Sequence, residues 1–235
     1  MKYTDKKQIV KLLSYMSTFD GGLYKNNDNG NARFIMNMVE DNLDYIIWVK
    51  EVLEKVTSTR LYKRKDYNTD GYKRKSQRRL ESRVHPFLTK LHDRIYIDRR
   101  KVIDPHMLKM MDAESLAIIF MCDGHSSLDS RFKNYHKQIG LSTKGFSYGD
   151  NWLLKKAIKE KLDLEFNINR HGKYYFLNLR TKDHEKFIDL ILPYMKDSFL
   201  YKLERIAPAI RDDDIVCTIR KRMESVRNEQ ITRKE

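Results

Sequence analysis

The chain has 235 residues, and its 47 lysines and arginines outnumber its 33 aspartates and glutamates, which gives a formal net charge of +14. This excess favours polyanionic partners, and nucleic acid matches it better than a membrane surface does. The sequence has no apolar run near the ~18 residues that cross a bilayer, no signal-peptide core and only two cysteines, too few for a disulfide framework. These features predict an intracellular protein without a membrane partner, whether phage-encoded, bacterial or organellar.

The first half of the chain begins with a predicted helix at residues 8–20. Apolar residues recur there at helical spacing, and Gly21-Gly22 follows as a stop signal. The elements predicted after it are a strand at 32–36, a helix whose apolar side spans 43–53, a hairpin of 57–65 and 72–83, and a helix at 86–94. Asp70-Gly71 lies in the turn of that hairpin and is a strong turn signal.

The second half repeats this order. Its predicted elements are a helix at 113–123 that ends at Gly124, a strand at 138–143, a helix at 151–161, a hairpin over 162–180 and a helix at 182–195. The separation of the two Asp-Gly pairs is too long for a solenoid repeat and fits a duplicated domain. The fold class predicted is α+β, with two halves of αββαββα order.

The predicted boundaries divide the chain into two halves, a linker and a tail. They are 1–96 for the first half, 97–108 for the linker, 109–203 for the second half and 204–235 for a C-terminal helical tail. In the tail, Ile215, Ile219, Met223 and Val226 form a helical stripe that would pack on the core or on a partner.

The ends of the two repeated helices are the candidate site. Residues 116–124 form an apolar segment that ends in Asp-Gly, and residues 13–21 match it more loosely, departing at Tyr15, Thr18 and Phe19. One such segment is usually a structural helix end, whereas two at equivalent places in a duplicated fold indicate function. Together they resemble the LAGLIDADG motifs of the monomeric homing endonucleases, and the resemblance covers residues 8–203.

The resemblance implies an architecture and an activity. The two halves would be related by pseudo-twofold symmetry, with saddle-shaped antiparallel sheets and the motif helices at the interface. The protein would be a monomer that cuts double-stranded DNA at a long, asymmetric target by metal-dependent hydrolysis and leaves staggered ends. Two alternatives on the same fold stay open: an intron-encoded RNA maturase that binds its host intron RNA, and a catalytically inactive DNA-binding regulator.

The resemblance also implies the catalytic acids. Asp20 and Asp123 would be metal ligands, one for each DNA strand, with backbone oxygens of Gly21 and Cys122 beside them. A carboxylate at a helix C-terminus gains nothing from the helix dipole, and two such groups repel each other. A divalent cation, Mg²⁺ or Mn²⁺, is the natural compensation, because it prefers oxygen ligands.

Two lysines complete the catalytic residues that the resemblance implies. Residues 95–105 look like the family's basic segment before the second motif, and residues 199–203 look like its counterpart after the second half. Lys101 and Lys202 would therefore polarise water or stabilise the charged phosphate.

The hairpins are the predicted DNA-binding elements, because a two-stranded ribbon fits the major groove. The candidates on one face of the first hairpin are Arg60, Tyr62, Arg64, Tyr72, Arg74, Ser76 and Arg78. Those on its opposite face, which would reach phosphates, are Lys63, Lys65, Lys73, Lys75 and Arg79. The second hairpin offers Asn167, Asn169, Lys173, Asn178 and Arg180. Since arginine suits guanine and asparagine suits adenine, the two half-sites are expected to differ.

The alternative for each of these side chains is that it merely solubilises an exposed sheet. The histidines, among them His85, His92, His106 and His125, are interpreted as ordinary surface or core residues and not as zinc ligands.

Overall fold

A computed structural model describes residues 6–64, 75–129, 136–207, 210 and 212–232 of the protein. Contacts between residues divide the chain into two compact units, Met1–Met107 and Leu108–Glu235. Each unit has a core of its own built from buried apolar side chains. None of the helices in the described parts of the chain is long and apolar enough to cross a membrane.

Unit 1, Met1–Met107, follows the predicted order. Its main elements are α1 (Lys6–Thr18), β1 (Gly22–Tyr24), β2 (Arg33–Val39), α2 (Leu43–Leu53), β3 (Thr59–Lys63), β4 (Gln77–Ser82) and α3 (Pro86–Ile95). After them come β5 (Tyr96–Ile97), β6 (Arg100–Lys101) and the start of α4 (Pro105–Lys109). The four main strands form an antiparallel sheet of order β1-β2-β4-β3.

Unit 2, Leu108–Glu235, repeats the arrangement and adds helices at its end. Its elements are α5 (Ala113–Asp123), β7 (Gly124–Asp129), β8 (His136–Leu141), α6 (Tyr148–Leu162), β9 (Phe166–His171), β10 (Tyr174–Leu179), α7 (His184–Ile191), α8 (Tyr201–Glu204) and α9 (Asp213–Thr232). Its antiparallel sheet has the equivalent order, β7-β8-β10-β9. The predicted α+β class with two αββαββα halves is confirmed.

The motif helix α5 is apolar around its whole circumference. Every side chain from Leu116 to Met121 is fully buried, as expected of a helix that is hydrophobic on all sides. At its N-terminus the carboxylate of Asp112 accepts a hydrogen bond of 2.9 Å from the backbone N–H of Ser115. The sequence thus specifies both the burial of this helix and where it begins.

Glycine is required after each motif helix because the backbone there passes too close to other atoms of the same unit to leave room for a side chain. A Cβ at Gly21 would lie 2.4 Å from the ring of Phe34, and one at Gly124 would lie 2.3 Å from the carbonyl oxygen of Phe120. Both contacts are far shorter than carbon and oxygen atoms allow, so any side chain would push the first strand away from the helix end. The Asp-Gly pairs therefore have a packing role as well as the predicted chemical one.

The structure also contains elements that the sequence analysis did not identify. Strand β7 begins directly after α5, and the short strand β1 begins at Gly22, shortly after α1 ends at Thr18. Part of the predicted linker forms the hairpin β5–β6, in which Asp98 and Arg99 both have positive φ angles, 49° and 62°. A two-residue turn with two positive φ angles joins antiparallel strands tightly. The turn predicted at 68–71 lies outside the described residues.

The cap of α5 leads to a prediction about stability. Asp112→Ala is expected to lower the free energy of unfolding by ~1 kcal/mol, because the first turn of the helix loses its side-chain acceptor. Asp112→Asn is the matched control and should retain most of the stability, since asparagine caps helices about as well as aspartate. Urea denaturation followed by circular dichroism measures both variants; equal losses would show that the charge of Asp112, and not the cap, is responsible.

Candidate active site and nucleic-acid interface

The first candidate centre lies at the end of α1. Asp20 is the second residue after this helix, which ends at Thr18, and Asp20 is exposed. The half-buried Lys101, in β6, donates hydrogen bonds from Nζ to the carbonyl oxygens of Phe19 at 3.0 Å and Gly21 at 2.5 Å. Hairpin β5–β6 thus brings a lysine to the backbone on both sides of the predicted acid.

The second candidate centre has the same parts at the end of α5. Asp123 is the last residue of that helix and is partly exposed. Lys202, in α8, donates from Nζ to the carbonyl oxygens of Phe120 at 3.0 Å and Met121 at 2.7 Å. Its side chain is only 8% exposed, and its Nζ lies 5.4 Å from the ring centre of Phe199. In each unit a lysine therefore contacts the backbone at the helix end where the predicted acid lies.

The lysines have an electrostatic role that is visible without any ligand. The last carbonyl groups of a helix carry partial negative charge, and a cation at that end is favourable. Each ammonium group neutralises this end next to an aspartate, whose own negative charge is disfavoured there. The arrangement brings a cation to the helix end that carries the carboxylate in each unit.

The donor set at each centre fits a hard cation better than zinc. Among the described residues, no group of three or more histidine, cysteine, aspartate or glutamate side chains is placed to hold a metal ion. Each unit offers the carboxylate of Asp20 or Asp123, which suits an ion that keeps several waters and completes its shell with substrate phosphate. The carbonyl of Gly21 already accepts a hydrogen bond from Lys101, and this argues against Gly21 as a ligand because a second cation there would be repelled.

In unit 1 the strand register decides which side chains share a face. Across β3 and β4, Arg60 pairs with Glu81 and Tyr62 pairs with Arg79, so these four point to the side opposite the fully buried Leu80. We define the outer face of unit 1 as Arg33, Arg60, Tyr62, Arg64, Gln77, Arg79 and Glu81. It is the basic surface of the first sheet.

The expected grouping of Arg78 and Ser76 with Arg60 is wrong. Arg78 pairs with Lys63 across the strands, so Arg79 and not Arg78 lies on the outer face. Alternation gives the face of a strand only once the register is known, and a shift of one residue exchanges the faces. Arg78 instead donates two hydrogen bonds, of 2.9 and 2.5 Å, to the carboxylate of Glu40, and these bonds lower the pKa of Glu40.

Several further candidates have partners of their own or lie outside the described residues. Arg64 donates to the side-chain oxygen of Gln77 at 3.1 Å, and Lys75 forms an ion pair of 2.5 Å with Asp41. The candidates that the structure does not describe are Lys65, Tyr72, Lys73 and Arg74.

Glu81 is a residue of the basic face that the sequence analysis did not identify. Its carboxylate pairs with Arg33 at 3.0 Å and Arg79 at 3.9 Å, and it accepts a hydrogen bond of 3.0 Å from the hydroxyl of Tyr62. Planar guanidinium groups held by a carboxylate lose little further freedom when they bind a ligand. The signal for Glu81 was available only from register, because the residue faces Arg60 across the sheet.

In unit 2 the equivalent face carries amide groups. Asn167 pairs with Asn178, and Asn178 pairs with Gly140, which places these asparagines opposite the buried Leu177 and Phe166. We define the outer face of unit 2 as His125, Ser127, Gln138, Asn167, Asn169 and Asn178. Asn167, Asn169, Asn178, Gln138 and Arg180 line one shallow depression.

The two basic candidates of the second hairpin lie at its ends. Arg180 forms an ion pair with Glu165, a carboxylate that Lys159 and Lys182 also contact, at 3.1 and 3.5 Å. Lys173 is in the turn, and its Nζ lies 5.4 Å from the ring centre of Tyr174. Both residues are exposed. Arg180 is already part of an ion-pair network.

His125, on the outer face of unit 2, is a second residue that the sequence analysis did not identify as a functional candidate. It lies on the outer face two residues after Asp123, and its Nδ1 is 3.1 Å from the hydroxyl of Ser142. Burial lowers the pKa of its imidazole, and the ammonium groups of Lys144 and Lys202 lower it further. Its place in the first strand after a motif acid is the signal that could have found it.

Comparisons with known proteins agree with the fold described above. A model described as the LAGLIDADG DNA endonuclease family matches residues 19–187. The probable intron-encoded endonuclease 1 of Wickerhamomyces canadensis is 26% identical over 186 residues, which are 78% of this chain and 79% of that protein. The RecA protein of Mycolicibacterium flavescens is 28% identical over 212 residues, which are 86% of this chain and 47% of that protein. The chain thus spans about half the length of this second relative.

Solved structures show the same fold. The homing endonuclease I-WcaI, solved bound to its DNA recognition sequence, superimposes with a TM-score of 0.68 at 22% identity and covers 86% of this chain and 94% of its own. The meganuclease I-SmaMI, bound to uncleaveable DNA, has a TM-score of 0.53 at 10% identity, with coverages of 95% and 98%. Since the family model matches more than half of the residues, the chain belongs to the LAGLIDADG DNA endonuclease family.

Proposed function

We propose that the protein is a site-specific homing endonuclease that hydrolyses one phosphodiester bond in each strand of double-stranded DNA. The observation that carries this proposal is the duplicated pair of an aspartate and a lysine, one pair at the end of each buried motif helix. A purely structural helix end would not need a carboxylate where the helix dipole disfavours it.

The relatives support the choice of substrate. I-WcaI is a homing endonuclease whose structure contains its DNA recognition sequence, and the similar protein of Wickerhamomyces canadensis is named a probable intron-encoded endonuclease. The net charge of +14 gives this chain the field that draws it to DNA.

The chemistry assigns separate tasks to the acid and the lysine. Asp20 and Asp123 would hold a divalent cation, Mg²⁺ or Mn²⁺, which when bound stabilises the attacking and leaving oxygens of a phosphodiester. Lys101 and Lys202 place an ammonium group beside each helix end, where negative charge on the phosphate develops during hydrolysis. Because both ammonium groups are held by backbone carbonyls, they need no reorganisation when DNA binds.

The two outer faces indicate an asymmetric target. Arg33, Arg60 and Arg79 in unit 1 suit the paired acceptors of guanine, whereas Asn167 and Asn178 in unit 2 suit adenine. Each unit would contact one half-site, and since both units belong to one chain, the enzyme would act as a monomer. Its target is then long and differs in base composition between the halves.

The first prediction separates binding from cleavage. Asp123→Asn is expected to abolish double-strand cleavage while Kd for the target stays within several-fold of the wild type. The carboxylate serves the chemistry, whereas contacts of lysine and arginine with phosphates dominate affinity. Gel-shift titration in Ca²⁺ and cleavage in Mg²⁺ on a selected target measure the two properties; normal double-strand cleavage by Asp123→Asn would refute the site.

The second prediction tests the duplication. Asp20→Asn and Asp123→Asn should each leave nicking of one strand, and the residual nicking should be greater for Asp20→Asn, whose motif departs further from the family pattern. The double variant should cut neither strand. The assay follows a supercoiled plasmid carrying the target as it becomes open circle or linear; linear product from the double variant would mean that both aspartates are structural.

The third prediction concerns salt. If the basic surfaces neutralise on the order of 6–10 phosphates, affinity for DNA should fall by ~10³ or more between 50 and 200 mM salt. Fluorescence anisotropy with a labelled duplex measures the slope, and Lys63→Gln, at an exposed position expected to reach phosphates, should make it shallower by about one phosphate contact. A flat response would contradict nucleic acid as the partner.

A further inference from the structure

Arg222, in the C-terminal helix α9, forms several hydrogen bonds with the preceding segment of unit 2. Arg222 donates to the carboxylate of Asp197 from Nε at 2.8 Å and from its terminal nitrogen at 2.5 Å. It also donates to the carbonyl oxygens of Leu192 at 2.8 Å and Met195 at 2.6 Å. A planar guanidinium group with five N–H donors is suited to hold several acceptors in one geometry.

Apolar packing and a cap fix the same helix. Ile215, Val216 and Ile219 are buried, Ile219 completely. At the N-terminus of α9, the carboxylate of Asp212 accepts hydrogen bonds from the backbone N–H groups of Asp214 at 3.0 Å and Ile215 at 3.1 Å. Helix α9 is therefore a fixed part of unit 2, and Ile215 and Ile219 of the predicted apolar stripe pack on the unit's own core. The side chain of Val226 lies outside the described part of the structure.

The residues that Arg222 holds lead directly into the catalytic lysine. We call residues 195–204 the lysine segment; it consists mainly of a 3₁₀ turn, Asp197–Phe199, and the short helix α8 that carries Lys202. Its other side contacts the motif helix region, because the N–H of Lys196 lies 3.2 Å from the sulfur of Met121 and the hydroxyl of Ser126 donates to the carbonyl of Lys202.

Unit 1 holds its lysine in a different way. Lys101 is paired with Tyr96 across the hairpin β5–β6, which follows α3 without a break. A hairpin fixes its residues through its own strand pairing, whereas helical turns as short as those of the lysine segment are marginal unless other elements hold them. In unit 2 α9 supports one side of the segment, and the region of the motif helix supports the other.

We propose that Arg222 is a positioning residue for Lys202, so that the C-terminal helix is part of the second catalytic centre. The expected effect of Arg222 on DNA cleavage rests on the proposed endonuclease function. The positioning of Lys202 by Arg222 does not. By fixing Asp197 and the carbonyls of Leu192 and Met195, Arg222 sets where the lysine segment begins and hence where the ammonium group of Lys202 meets the end of α5.

Two readouts test this in the full-length protein. One is the rate of amine acetylation at Lys202 without DNA, measured by peptide mass spectrometry. The other is the rate of cleavage of each DNA strand, measured with duplexes labelled on either strand. The variants are Arg222→Ala, Arg222→Lys, and Arg220→Ala as the matched control, because Arg220 lies on the same helix and is exposed.

Arg222→Ala is expected to raise the acetylation rate of Lys202 by about tenfold or more, since the segment loses several hydrogen bonds to a charged group and opens locally. It should slow only the strand whose cleavage Asp123→Asn removes, also by about tenfold or more. Arg222→Lys keeps the charge but not the fork of donors and should be intermediate, and Arg220→Ala should match the wild type.

Each other outcome has a definite meaning. Unchanged acetylation of Lys202 in folded Arg222→Ala, or equal slowing of both strands, overturns the proposal. If Arg222→Ala does not fold, Arg222→Lys decides by the same criteria. If the wild type cuts no DNA, the proposed function fails, and acetylation alone then decides whether Arg222 positions Lys202.

Discussion

An aspartate at the C-terminal end of a helix lies in an unfavourable field, and each unit offsets that field with one lysine. Lys101 and Lys202 both donate to carbonyl oxygens of the last helical turn or just beyond it. The ammonium group adds a donor at the helix end, where the backbone carbonyl groups carry partial negative charge, and places positive charge at the helix end that carries the acid. The fold of each unit brings these two residues, which are far apart in sequence, to the same helix end.

Packing and hydrogen bonds hold the two motif helices in place. In α5 the whole side-chain surface from Leu116 to Met121 is buried, so its end cannot move without disturbing the core. In α1 the departures from the apolar pattern are accommodated by hydrogen bonds: Tyr15 donates to the carbonyl of Met107 at 3.0 Å, and Thr18 to that of Ser14 at 2.8 Å. A buried hydroxyl with a partner costs little. The glycine after each helix then lets the first strand begin against the helix end itself.

The two sheets differ in the chemistry of their outer faces. In unit 1 arginines surround Glu81, whose carboxylate holds two of them and Tyr62. In unit 2 the corresponding surface offers amide groups and His125, with Gly140 leaving space between His125 and Asn178. A Cβ at Gly140 would lie 2.6 Å from both of those side chains. The duplication therefore preserved a lysine at the end of each motif helix while the outer faces of the two sheets diverged, which agrees with the proposal of two unlike half-sites.

The sequence alone determined the duplicated order of elements and the buried motif helices, because helical periodicity and the Asp-Gly ends are local signals. The expectation of a lysine beside each aspartate came from the resemblance to the LAGLIDADG family and not from these local signals. Only the tertiary structure decided the face on which Arg78 and Arg79 lie, since register depends on pairing between strands and one residue of shift reverses it. It also decided how each lysine is held: the turn at Asp98-Arg99 forms a hairpin in unit 1, whereas Arg222 in a tail without a counterpart in the first half secures the lysine segment in unit 2. Such long-range contacts leave no periodic trace in a single sequence, because they depend on how distant segments pack.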